Sequence, residues 1–268
     1  MDNETNENSD QEKNDTFDEI IHDKKVLEDS EKTFTPGPVG RVLGNNKKKY
    51  KTALAFWFDI VLNLIIIIGL VLVIRTYLIS PFQVYGSSMC DTFNNFNGTC
   101  SNGYGEYLIV NKLGFQNFFG YQVGLPKRGD IVVFHPPHNP SEFFIKRIIG
   151  LPGETIRLID DNVVIFNDEH PEGWEIDEPY LNEKNSGNTK ARPNLGSVFE
   201  IPDDSYFVLG DNRTGSSDSR SCFADAKLVG NCFENNNSAY LNMSHIQGKA
   251  AVVLWPLNKI TTIKRPEY

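Results

Sequence analysis

Residues 143–150 read FFIKRIIG, and this short run decides the fold. It is rich in isoleucine and phenylalanine and too short for an ordinary helix. It therefore reads as a buried strand that carries a lysine and an arginine. Side chains alternate along a strand, so Lys146 and Arg147 must point to opposite faces. The same texture recurs on both sides. YLIVNKL (107–113), DIVVFHP (130–136), NVVIF (162–166), SYFVLG (205–210) and KAAVVLW (249–255) are short β-branched and aromatic runs separated by Gly, Pro, Asn and Asp. This spacing predicts a mainly β domain over residues 76–268. Residues 167–200 are polar, hold Gly173, Gly187 and Gly196, and read as a loop or small β region, part of an insertion at approximately 157–204.

Upstream the pattern changes. ALAFWFDIVLNLIIIIGLVLVI (53–74) is apolar on every face. At about 1.5 Å per residue it reaches roughly 33 Å, enough to cross a bilayer core. Residues 47–75 thus read as a basic flank and a single transmembrane anchor. Asp59 and Asn63 share one face of this helix and are costly in lipid. The run is too long, and begins too late, for a cleaved leader. Lys47, Lys48, Lys49 and Lys51 precede it and only Arg75 follows, which puts the N-terminus in the cytoplasm and the β domain outside.

Residues 1–32 carry twelve acidic side chains and four lysines, so most of the net charge of -9 sits there. With PGPVG and GNN in the following 33–46, residues 1–46 read as a disordered acidic cytoplasmic tail and linker. The remainder is near neutral, which argues against a nucleic-acid partner. Cys90, Cys100, Cys222 and Cys232 form no close zinc knuckle, and an even count outside the cytoplasm suits disulfides.

Four segments could carry chemistry: SPFQVYGSSMCDT (80–92), RGDIVVFHPP (128–137), FIKRIIGLPGETI (144–156) and VLGDNRTGSSDSR (208–220). Ser88 is a candidate nucleophile that needs a base. No histidine sits in a triad motif. Lys146, buried near Ser88, would lose charge through desolvation and become able to take the serine proton. The residues alone leave a second reading open, in which Lys146 pairs with a carboxylate such as Asp130 or Glu154.

These boxes, in this order and preceded by an anchor, resemble those of type I signal peptidases, the serine–lysine leader peptidases of family S26. The resemblance covers residues 50–265 and includes IQGKA near the end. It implies a signal-peptidase-like β fold with a small inserted β region, preceded by one transmembrane helix. It implies a membrane-bound endopeptidase that removes signal peptides from secreted preproteins at small-x-small sites. The machinery would be a Ser/Lys dyad working through an acyl-enzyme, with no metal and no cofactor.

By position, Ser88 looks like the nucleophile, Lys146 the general base, and Ser216 the serine that orients the lysine. Phe82, Val84, Gly86, Met89, Phe144 and Ile145 match substrate-binding positions, with the substrate added to an edge strand around 81–86. Gly86 stands where some relatives place a hydroxyl for the oxyanion, leaving the second donor open. Asp211, Arg213, Asp218 and Arg220 look like scaffold, with Asp218 paired to an arginine. Partners implied are signal peptides, the lipid bilayer of the plasma membrane and the secretion translocon.

Two features depart from the family pattern. Asp91 replaces a proline after the nucleophile. The segments 90–106 and 222–240 are inserted, each resembling a loop closed by its own disulfide, Cys90–Cys100 and Cys222–Cys232. Crossed pairing is the alternative. Rival readings are a self-cleaving repressor-type protease, a narrow-specificity processing enzyme, a sortase-like thiol enzyme and an inactive peptide-binding scaffold.

Overall fold

The computed structural model describes residues 53–113, 115, 124–192, 196–223 and 239–268. The acidic tail, the linker and the lysines before the anchor lie outside the described residues, as does Cys232. The chain divides into two units, Met1–Leu64 and Ile65–Tyr268.

Helix α1 spans Ala53–Val73, and a wider turn over Ile74–Leu78 follows it. It is long and apolar enough to cross a membrane. Asn63 Nδ2 donates to the carbonyl of Asp59 at 2.7 Å, so its amide is satisfied within its own helix.

The strands follow in order: β1 (Ile79–Tyr85), β2 (Asn95–Phe96), β3 (Thr99–Cys100), β4 (Tyr104–Asn111), β5 (Ile131–Phe134), β6 (Phe144–Gly150) and β7 (Thr155–Ile159). Next come β8 (Asn162–Phe166), β9 (Trp174–Glu175), β10 (Val198–Glu200), β11 (Ser205–Leu209), β12 (Leu241–Asn242), β13 (Ile246–Trp255) and β14 (Thr261–Thr262). The large antiparallel sheet runs β1-β4-β13-β5-β6-β11-β12, with β14 also on β13. A smaller sheet, β10-β7-β8-β9, falls largely within the stretch expected as an insertion, and β2–β3 is a hairpin. Every predicted strand is present, so the mainly β expectation holds.

Strand β6 is central and pairs with β5 and β11. Lys146 lies opposite Val132, and Arg147 opposite Ile131 on β5 and Leu209 on β11. Pairing on both sides satisfies the backbone and leaves the two cationic side chains to find their own partners. One core cluster, from Val84, Met89, Phe93, Leu108, Ile131, Ala250 and Val253, lies under β1 and the loop after it. A second joins the two sheets through Ile149, Ile156, Ile165, Phe199 and Phe207. The Phe199 and Phe207 rings sit 4.7 Å apart.

Phe207 is fully buried where the sheets meet. Phe207→Ala is expected to cost about 3–5 kcal/mol, mostly as a cavity. Urea unfolding in detergent checks this, and a loss below about 1 kcal/mol would mean the sheets do not depend on this contact.

Candidate active site

Strand β1 ends at Tyr85, and Gly86 turns the chain with φ +83°. Met89 (1% exposed) drops into the core beneath the turn, leaving Ser88 half-buried at the surface of the site. The disulfide Cys90–Cys100 closes the following loop. Cys222 is also disulfide-bonded, while its expected partner Cys232 is not among the described residues. Asn212 fixes the turn from the other side: its backbone N–H donates to the Ser88 carbonyl at 3.1 Å and its Nδ2 to the Ser87 carbonyl at 3.0 Å.

Lys146 is 3% exposed. Its Nζ lies 2.8 Å from Ser88 Oγ and 2.9 Å from the Ile145 carbonyl. The carboxylates that could have claimed it are engaged elsewhere: Asp130 with Lys249 at 2.6 Å, and Glu154 with Arg128 at 2.6 Å. Burial lowers the Lys146 amine to about 8; the negative charges of Asp218 and Asp211 work against the shift without cancelling it.

On the opposite face, Arg147 donates to Asp211 at 2.9 and 2.7 Å and its guanidinium packs 3.8 Å from the centre of the Tyr180 ring. Asp218 pairs with Arg220 at 2.8 Å. Burial alone would raise the Asp218 carboxyl, but Arg220, the Gly210 N–H and Lys146 hold it below its ordinary value. The third arginine, Arg213, binds Glu178, an ion pair that sequence reasoning missed because the two stand 35 positions apart.

Ser216 is buried on the same loop, and its Oγ makes no hydrogen bond among the described residues. Its carbonyl accepts from Arg192 Nη2 at 3.0 Å. A Cβ on Gly210 would collide with both Ser216 Oγ and the Ser88 carbonyl. Only glycine lets these two loops approach so closely.

A cavity of about 580 Å³ opens beside the serine. Phe82, Val84, Gly86, Phe144 and Ile145 line it together with Ser88 and Lys146. Met89 supports the site from within the core and is not among the lining residues. Leu108, Val133, Phe143 and Ser217 also line it, positions the sequence did not single out. Strand β1 borders the cavity and is the terminal strand of its sheet, with one edge unpaired among the described residues. The Gly86 N–H is committed to the Gly103 carbonyl at 3.0 Å and so is not a free oxyanion donor in this arrangement.

A hydroxyl beside a buried amine, in an apolar groove bordered by a free strand edge, suits acyl transfer on an extended peptide. The model of the family described as signal peptidase, peptidase S26, matches residues 57–255. Signal peptidase I P of Bacillus subtilis subsp. natto is 32% identical over 82% of this chain and 99% of its own length. Signal peptidase I T of Bacillus subtilis strain 168 is 35% identical over 69% of this chain and 85% of its own. A crystal structure of a signal peptidase I from Enterococcus faecalis matches at 29% identity over 47% of this chain and 97% of that one, with a TM-score of 0.32. The chain belongs to the signal peptidase family, peptidase S26. It is a serine endopeptidase that removes signal peptides, and α1 fits a membrane-anchored enzyme.

The depressed Lys146 amine has a stability consequence. Between about 8 and the ordinary value of 10.5, the unfolded chain binds more protons than the folded one, so folding stability rises with pH there. Below about 8 the full cost of burying the amine is present. Lys146→Met is expected to raise the melting temperature at pH 7, and the gain should shrink as pH rises through that window. Melting curves from pH 7 to 10.5 check it; a gain that does not vary with pH would remove titration of Lys146 as the cause.

Proposed function

We propose that Ser88 is the nucleophile and Lys146 the general base for signal-peptide removal. The observation that carries this reading is the 2.8 Å contact between Lys146 Nζ and Ser88 Oγ, made by an amine that burial lowers to about 8. Ser88 Oγ attacks the scissile carbonyl carbon as its proton passes to the Lys146 amine. The Ser88 backbone N–H donates to the oxyanion. Collapse breaks the peptide bond, and the amine of the mature chain leaves with the proton from Lys146. Water then attacks the acyl-enzyme and gives a proton to Lys146, which returns it to Ser88 as the signal-peptide carboxylate departs. Every step is complete with these groups and water. Ser216 orients the lysine when its hydroxyl, buried beside Gly210 and without a hydrogen bond among the described residues, turns to accept from the Lys146 amine, whose bonds here go to Ser88 Oγ and the Ile145 carbonyl.

The substrate adds to the free edge of β1, alternate side chains entering the groove walled by Phe82, Val84, Phe144 and Ile145. Such walls favour alanine at the first and third residues before the cut. The enzyme sits in the plasma membrane with its N-terminus in the cytoplasm and its catalytic β domain outside, near the secretion translocon. The lysine excess before α1 supports this orientation. Exposed Leu254, Trp255, Leu257 and Ile260 support contact of the catalytic domain with the bilayer.

A preprotein with an Ala-x-Ala site, assayed in detergent, tests the mechanism. Ser88→Ala and Lys146→Ala should each lower kcat by about three orders of magnitude or more while remaining folded. Ser216→Ala should lower it by roughly ten- to a hundredfold. A Lys146→Ala variant with parental activity would end the dyad reading. The parent's kcat/KM should rise with pH along an acid limb centred near 8, because the protonated amine cannot accept the serine proton. A limb near 6 instead would point to a histidine.

A further inference from the structure

Asp91 stands three residues beyond Ser88, where the family pattern has proline. Its φ is 109°. A proline ring fixes φ near about −65°, so proline cannot adopt this backbone. Residues other than glycine avoid it as well, unless their surroundings hold them there.

The carboxylate of Asp91 is what holds it. Asp91 Oδ2 accepts from the Asn182 backbone N–H at 3.2 Å and from Asn185 Nδ2 at 2.9 Å, and Oδ1 accepts from Asn182 Nδ2. These two asparagines lie in a tight turn of the insertion, between β9 and β10. Asn182 Oδ1 caps that turn through the Lys184 and Asn185 N–H groups, which aims its amide at Asp91. Asn185 is 2% exposed, and its Oδ1 accepts from the Thr214 N–H at 3.4 Å. Thr214 belongs to the loop that carries Asn212 and Ser216, and Asn212 binds the Ser88 carbonyl.

Three segments therefore close a ring around the nucleophile: the loop after β1, the turn at 182–188 and the loop after β11. The adjacent Thr92 adds a tie on the other face. Its Oγ1 donates to Asp211 and accepts from Arg147 Nη2 at 3.2 Å, and Arg147 is the neighbour of Lys146.

We propose that Asp91 is a positioning residue for the peptidase reaction, fixing Ser88 against Lys146 by tying the nucleophile loop to the Asn182–Asn185 turn of the insertion. It touches neither substrate nor the reacting atoms. Its effect belongs to the placement of Ser88 Oγ, so it falls on the chemical step rather than on substrate binding. The proposal rests on the Ser88–Lys146 reading.

The test assays Asp91→Ala, Asp91→Asn, Asn185→Ala and the Asp91→Ala/Asn185→Ala pair in the full-length chain in detergent, beside Ser88→Ala and Lys146→Ala. Asp91→Ala should lower kcat by roughly tenfold or more, and KM should stay within about twofold. Asp91→Asn keeps one acceptor oxygen and should recover part of the loss. Asn185→Ala should act in the same direction, and the pair should be no worse than Asp91→Ala alone, because both break one linkage. Parental kcat in Asp91→Ala, a loss confined to KM, or a pair whose loss is the product of the singles would each overturn the proposal. If Asp91→Ala does not fold, parental kcat in both Asp91→Asn and Asn185→Ala overturns it. Activity in Ser88→Ala or Lys146→Ala would instead overturn the dyad reading, and the two failures are thus distinguishable.

Discussion

An amine buried in a central strand, with a hydroxyl rather than a carboxylate as its side-chain partner, is the constraint around which this molecule is arranged. Lys146 can lose its charge only if burial is nearly complete and no anion comes close enough to restore it. Both conditions are met by β6. Its neighbours β5 and β11 exclude water from the strand, and the nearest acids are occupied by other cations. Asp211 belongs to Arg147 and Asp218 to Arg220, so each reaches Lys146 only as a long-range field.

That arrangement is why the arginines are as buried as the core. Arg147, Arg213 and Arg220 are each 2% exposed or less. Ion pairs so deep return little net stability, because desolvation offsets most of the attraction. Their value lies in geometry. Each guanidinium ties down a segment beside the Ser88–Lys146 pair. Arg147 and Asp211 engage Thr92 in the loop beyond Ser88, and Arg220 and Asp218 fix the stretch from Gly210 to Arg213. The same logic extends into the insertion through Glu178, Asn182 and Asn185. The segment between β9 and β10 is thereby tied to the loop that follows Ser88.

The groove follows from the position of β1 at the end of its sheet. A terminal strand keeps one row of backbone donors and acceptors unpaired among the described residues, which is a hazard in most proteins and, under the proposed function, the edge to which an extended peptide adds. Val84 and Phe82 line the same cavity as Phe144 and Ile145 from β6, so the strand that carries Lys146 also supplies a wall of the groove.

Much of this was legible without coordinates. The run FFIKRIIG dictated a strand with Lys146 and Arg147 on opposite faces, since side-chain alternation is a local property of the backbone. The length and continuity of 53–74 dictated an apolar helix, because only intrahelical bonds satisfy a backbone in lipid. The spacing of the motif boxes pointed to Ser88 and Lys146. What no local rule could supply was which acid each cation would choose. Pairs such as Arg147–Asp211 and Arg213–Glu178 join residues 64 and 35 positions apart, and only the register of the sheets brings them together. Asp91 is the clearest instance. In the sequence it is a departure from proline with no visible compensation. In the fold its carboxylate meets two asparagines more than ninety residues away, and that contact gives the unusual backbone its reason.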